Sequence, residues 1–139
     1  MTSFLNVDLD IAGPDDLLPL VKALRPSIFE LHTGPARRGY QTHLELASSG
    51  MRRTDTADLV IKRFVKRLAA LPPRARRLWT RARQRDFNIG VQGGLAPHAF
   101  ELDVKPETLR AVARLGARIV VTVYAVERER EPPRRHRQR

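Results

Sequence analysis

Three stretches of this chain alternate apolar and polar residues with a period of two, and that alternation constrains the fold more than any other feature. Leu5, Val7, Leu9 and Ile11 alternate with Asn6, Asp8 and Asp10. Tyr40, Thr42, Leu44 and Leu46 alternate with Gln41, His43 and Glu45, and Phe87, Ile89 and Val91 with Asn88, Gly90 and Gln92. Successive side chains of a strand point to opposite faces, so each stretch predicts a strand with one face in a core and the other in water. Between them the period becomes helical. Ala57, Val60, Ile61, Phe64, Leu68 and Leu71 recur at three- and four-residue spacing, which predicts a helix over 56–71, capped by Thr54, Asp55 or Thr56.

Proline and glycine punctuate the rest. Gly13-Pro14 ends the first strand, and Leu17, Leu20, Val21 and Leu24 predict a helix that starts near Asp16, leaving Pro19 in its first turn. Ile28 to Leu31 predicts a short strand, followed by a turn at Thr33-Gly34-Pro35 and a loop through Gly39. Pro72-Pro73 stops the long helix and opens another over 73–85, with Ala75, Leu78, Trp79 and Ala82 inside. Phe100, Leu102 and Val104 predict a further short strand. Pro106 opens a helix carrying Leu109, Val112, Ala113 and Leu115, which Gly116 ends. Arg118 to Val126 is almost continuously apolar, the pattern of a central strand covered on both faces. Strands alternating with helices predict an α+β class and a single-domain ferredoxin-like sandwich over 1–126. In that fold one mainly antiparallel sheet carries helices packed on one face. Residues 127–139 contain no apolar side chain and predict a basic, disordered tail.

A chain of 139 residues has room for one core. Its apolar runs are short and broken by charge, so no membrane span is expected, and its first residues lack the basic flank and apolar stretch of a signal peptide. A cytoplasmic location is the corresponding expectation. With no cysteine there is neither a disulfide framework nor a thiolate metal site. No phosphate-cradling glycine motif, HExxH or G-x-S-x-G occurs, so no cofactor is expected and the chain reads as a non-enzymatic binding protein. The alternative is a metal-dependent enzyme built on the polar sheet face, where Asp8, Asp10, His43 and Glu45 would offer oxygen and nitrogen ligands if their strands are close.

Charge is unevenly distributed. The formal net charge is +11, but residues 52–85 alone carry twelve Lys/Arg against two Asp/Glu, a net of +10. Residues 1–51 are net −2, 86–126 are neutral and 127–139 are net +3. On the two helices expected across this segment, Lys62, Arg63, Lys66 and Arg67 lie opposite the buried stripe, and Arg74, Arg77, Arg81 and Arg85 line the outer side of the second. Arg52 and Arg53 precede them. Like charges at i,i+4 disfavour a helix, so a one-signed cluster points to an anionic partner. An acidic protein surface fits. Nucleic acid is the alternative, a non-specific module using helices 56–85 and the tail. Against it, Phe64 and Trp79, the aromatics of this segment, fall on buried stripes and leave bases nothing to stack on.

The stretches FLNVDLDI, GYQTHLELA, LPPRARRLW followed by FNIGVQ, and ETLRAVARLGARIVVTVY together resemble an uncharacterised bacterial family of short α+β proteins. Members end in a helix, a Leu-Gly corner and an apolar strand closing on tyrosine, and the likeness spans about residues 3–126. Some proteins of this type resemble immunity proteins encoded beside secreted toxins. The resemblance implies a protein that binds and neutralises a partner toxin, and it carries no catalytic residue. A basic chain in that role implies a toxin with an acidic surface.

Overall fold

The computed structural model describes residues 1–47 and 55–126. Nine elements follow one another: β1 (Ser3–Gly13), α1 (Leu18–Leu24), β2 (Ile28–Ala36), β3 (Gly39–Leu46), α2 (Ala57–Ala69), α3 (Pro73–Arg81), β4 (Gln84–Gln92), α4 (Pro106–Arg114) and β5 (Arg118–Tyr124). The five strands form one open mixed sheet in the order β2-β3-β1-β4-β5. Every neighbouring pair is antiparallel except β4 and β5, which run parallel and are joined through α4. The protein is α+β.

The period-two stretches decide which face is covered. Val7, Leu9 and Ile11 of β1, Leu44 and Leu46 of β3 and Phe87, Ile89 and Val91 of β4 are all buried. They form one apolar cluster with Leu20, Val21 and Leu24 of α1, Val60, Ile61, Phe64 and Leu68 of α2, Ala75 and Trp79 of α3, and Val112 of α4. All four helices therefore lie on one face of the sheet. Asn6, Asp8, Asp10, Gln41, His43, Glu45, Asn88 and Gln92 lie on the other, as their alternation predicts.

Local chemistry sets the element ends. Asp16 accepts the Leu18 N–H at 3.0 Å, and Pro19 falls in the first turn of α1, where the missing N–H costs no hydrogen bond. The Thr56 hydroxyl accepts the Leu59 N–H at 3.3 Å and opens α2. Gly39, at φ +121°, closes the β2–β3 hairpin where a Cβ would collide with the Gly13 carbonyl oxygen.

Four expectations need correction. β2 is not a short strand ending at Leu31: it runs to Ala36, and Thr33, Gly34 and Pro35 pair with β3 inside it. Proline is tolerated there because β2 is an edge strand, whose outer N–H groups need no partner. The second basic helix stops at Arg81 rather than Arg85. The Arg83 N–H donates to the Ala12 carbonyl at 2.9 Å, drawing the chain into β4 alongside β1. Residues 100–104 form no strand, because β5 occupies the position beside β4, while Leu102 and Val104 pack partly on the core. Finally, β5 is not central but the outer edge. Its apolar run is covered only in part: Ile119 packs against the core, whereas Val121, Val123 and Tyr124 are each more than half exposed.

Candidate partner-binding surfaces

The described part of the basic segment, residues 55–85, runs through the consecutive helices α2 and α3 into the start of β4, and it divides into engaged and unengaged cations. Lys62 lies 3.3 Å from Asp58, one turn earlier, and 3.8 Å from Glu107 of α4. Arg63 donates from both terminal guanidinium nitrogens to the two Asp55 carboxylate oxygens, at 2.7 and 2.9 Å. Arg81 donates to Asp15, in the loop before α1, at 2.8 Å. Arg85 stands in β4, not on a helix. Its guanidinium donates to the carbonyls of Trp79, Thr80 and Gly116 and lies 5.9 Å from the centre of the Trp79 ring. Arg76 is similarly occupied, donating to the Ala69 and Leu71 carbonyls at the end of α2.

Lys66, Arg67, Arg74 and Arg77 differ. All four are exposed, and none has an ion-pair partner within 4 Å among the described residues. Lys66 and Arg67, with Arg63, line a groove closed on its other side by Pro26, Leu46 and Ala47. Arg77 borders a second shallow groove with Leu71, Pro73 and Arg81. Arg52 and Arg53 lie outside the described residues, as do 127–139. Sequence reasoning missed the acids that neutralise part of the cluster. Asp58–Lys62 was legible as an i,i+4 pair, whereas Asp15 and Glu107 reach the helices only through the fold.

The open face of the sheet holds the second constellation. Antiparallel register sets Asp10 opposite His43, and the imidazole Nδ1 lies 2.8 Å from the Asp10 carboxylate. The Asn6 amide donates to Glu45 at 2.7 Å, and the His32 and His43 rings are 6.1 Å apart. Asp8 sits between these pairs. Burial, then the charges of Asp10 and Glu45, push its pKa up to about 6, with His43 opposing them. Asp8, His43 and Glu45 are thus brought together on adjacent strands. Yet no group of three His, Asp or Glu side chains among the described residues converges as a metal-holding set.

A carboxyl whose pKa is higher in the folded than in the unfolded chain favours the protonated fold. The resulting penalty is absent below the unfolded value of 3.8, grows as pH rises to about 6 and is then constant. Asp8→Asn removes it. Allowing for solvent screening of a half-buried group, the variant gains about 1 kcal/mol at neutral pH, or about 3 °C in Tm. Thermal melts at pH 7.5 and pH 4 should show that gain only at the higher pH. An equal change at both would mean that folding does not raise the Asp8 carboxyl.

Comparison with protein-family models, curated proteins and solved structures finds no match to this chain. No helix among the described residues is long and apolar enough to cross a membrane.

Proposed function

We propose that this chain is a non-enzymatic binding protein of the immunity type, which neutralises a partner toxin by docking α2 and α3 against an acidic surface. The observation carrying this reading is the set of exposed cations with no ion-pair partner among the described residues, Lys66, Arg67, Arg74 and Arg77, on two helices joined by a three-residue turn. Unpaired cations on rigid helices raise the encounter rate with an anionic partner, because their field is not cancelled locally. Lys62, Arg63 and Arg81 contribute less to that field, since each already faces a carboxylate. A ferredoxin-like scaffold accounts for the arrangement. The first four strands follow the order β2-β3-β1-β4 with antiparallel pairing throughout, and α4 and β5 extend that unit at one edge.

The test is charge reversal at all four positions, Lys66→Glu, Arg67→Glu, Arg74→Glu and Arg77→Glu, in one chain. Association with the acidic toxin that this reading predicts, measured by surface plasmon resonance, should slow about 10- to 100-fold while dissociation changes less. Unchanged association rates would remove the proposed surface. The same chains titrated against duplex DNA at two salt concentrations address the other polyanion. A steep salt dependence abolished by the four reversals would favour nucleic acid over an acidic protein.

A further inference from the structure

We propose that the outer edge of β5 is a dimer interface, on which a second copy of this chain adds its own β5 antiparallel, about a two-fold axis at Val121. The two edges of the sheet are built differently. On β2 the register shifts between Glu30 and His32, and Pro35 stands inside the strand, both devices that stop a further strand from adding. The β5 edge has neither. From Ile119 to Tyr124 it holds no charge, proline or register shift, and no described strand pairs with its outer side.

The backbone of β5 is self-complementary in that register. The Tyr124 carbonyl accepts the Gly93 N–H at 2.7 Å, so the peptide groups of Tyr124 face β4. Alternation then turns those of Ile119, Val121 and Val123 outward. Antiparallel pairing centred on Val121 sets each Ile119 opposite Val123 of the second copy and Val121 opposite itself. Every outward N–H and C=O then meets its counterpart.

Side chains agree with this arrangement. Val121 and Val123 lie on the helix side of the sheet, 54% and 64% exposed, beside a groove that they line with Val91, Phe100 and Leu102. β-branched pairs across the axis would cover them. A two-fold axis normal to the sheet also reverses α4, which carries Glu107 in its first turn and Arg114 in its last. The acidic end of each α4 is thereby brought toward the basic end of the other. On the open face, Arg118 of each copy comes opposite Tyr124 of the other, and its charge is already neutralised by Asp86 of its own β4, to which the guanidinium donates at 2.7 and 2.8 Å.

The full chain is tested by sedimentation over a concentration series reaching roughly 1 mM. The wild type should approach twice the single-chain mass of 15.8 kDa. Val121→Pro removes an N–H that faces away from β4, and Val121→Lys places like charges face to face on the axis. Each should raise the dimer dissociation constant about tenfold or more. Since the chain has no cysteine, Val121→Cys adds a reporter that is independent of those variants. Hydrogen-bonded antiparallel partners sit about 5.5 Å apart at Cα, within disulfide reach, so mild oxidation should link two copies. Phe29→Cys on the β2 edge should stay unlinked. A monomeric wild type, a dimer that survives both Val121 substitutions, or linkage through position 29 and not 121 would each overturn the proposal.

Discussion

Replacing Phe64 with alanine is expected to remove about 3–5 kcal/mol of folding stability, the cost of deleting a large side chain that has no solvent exposure. Phe64 projects from the middle of α2 onto the sheet, where its ring meets Phe87 of β4 at 5.9 Å and a tilt of 54°. Ile61 on the same helix and Leu9 of β1 are equally enclosed, so little can move to fill the space. Domains of this size are stable by only about 5–15 kcal/mol, and the loss would bring the variant close to unfolding at physiological temperature. Urea denaturation followed by circular dichroism should show a much lower midpoint with an unchanged slope. The control is Leu59→Ala on the same helix, 43% exposed, which should change stability by less than about 1 kcal/mol. Equal effects at 59 and 64 would mean that α2 does not pack as described.

That core was legible because both periodicities were nearly unbroken. Val7, Leu9, Ile11, Phe87, Ile89 and Val91 alternate without error, and the stripe from Ala57 to Leu71 holds its helical spacing. Leu5, expected inside with them, is instead 48% exposed, because the β1–β4 register shifts between Phe4 and Asn6. What composition cannot report is position within the sheet. An apolar run such as Arg118–Tyr124 has the chemistry of a buried central strand, and only the pairing order reveals that it lies outermost. The register shift at Leu31 and the placement of Pro35 within β2 are also tertiary events, since they depend on β3 as partner.

The candidate surface was legible as a count of charges and illegible as a field. Twelve cations between 52 and 85 are visible in the sequence, but their partners are not. Asp15 precedes Arg81 by 66 residues, and the carbonyls that occupy Arg85 come from the end of α3 and from Gly116. Folding therefore narrows the candidate set to the cations that meet no acid among the described residues. It also turns ordinary polar alternation on β1 and β3 into a crowded group of carboxylates around Asp8, a cost that only the register creates.

Asp58 is the position where a single polar substitution should do the most damage. Its side chain is buried on α2, yet it accepts the Lys105 N–H at 2.9 Å, the residue that caps α4, and lies 3.3 Å from the Lys62 ammonium. Burial raises its pKa, but the Lys105 N–H, the nearby Thr108 hydroxyl and Lys62 together outweigh burial and hold the carboxyl below its usual value. Asp58→Ala leaves the Lys105 N–H without a partner inside the protein and should cost about 2–3 kcal/mol. Asp58→Asn keeps an acceptor oxygen and should cost about half as much. Because the folded pKa is the lower one, this stabilisation is complete above the unfolded value of 3.8 and fades as pH falls through the folded value. The gap between wild type and Asp58→Ala should therefore be full at pH 7 and shrink markedly toward pH 2 in urea titrations. Amide exchange at Lys105 and along α4 should quicken at neutral pH, since the helix loses the contact that fixes its start. A gap that does not change with pH would show that the carboxylate's charge is irrelevant, and unchanged exchange in α4 would show that Asp58 does not tether it.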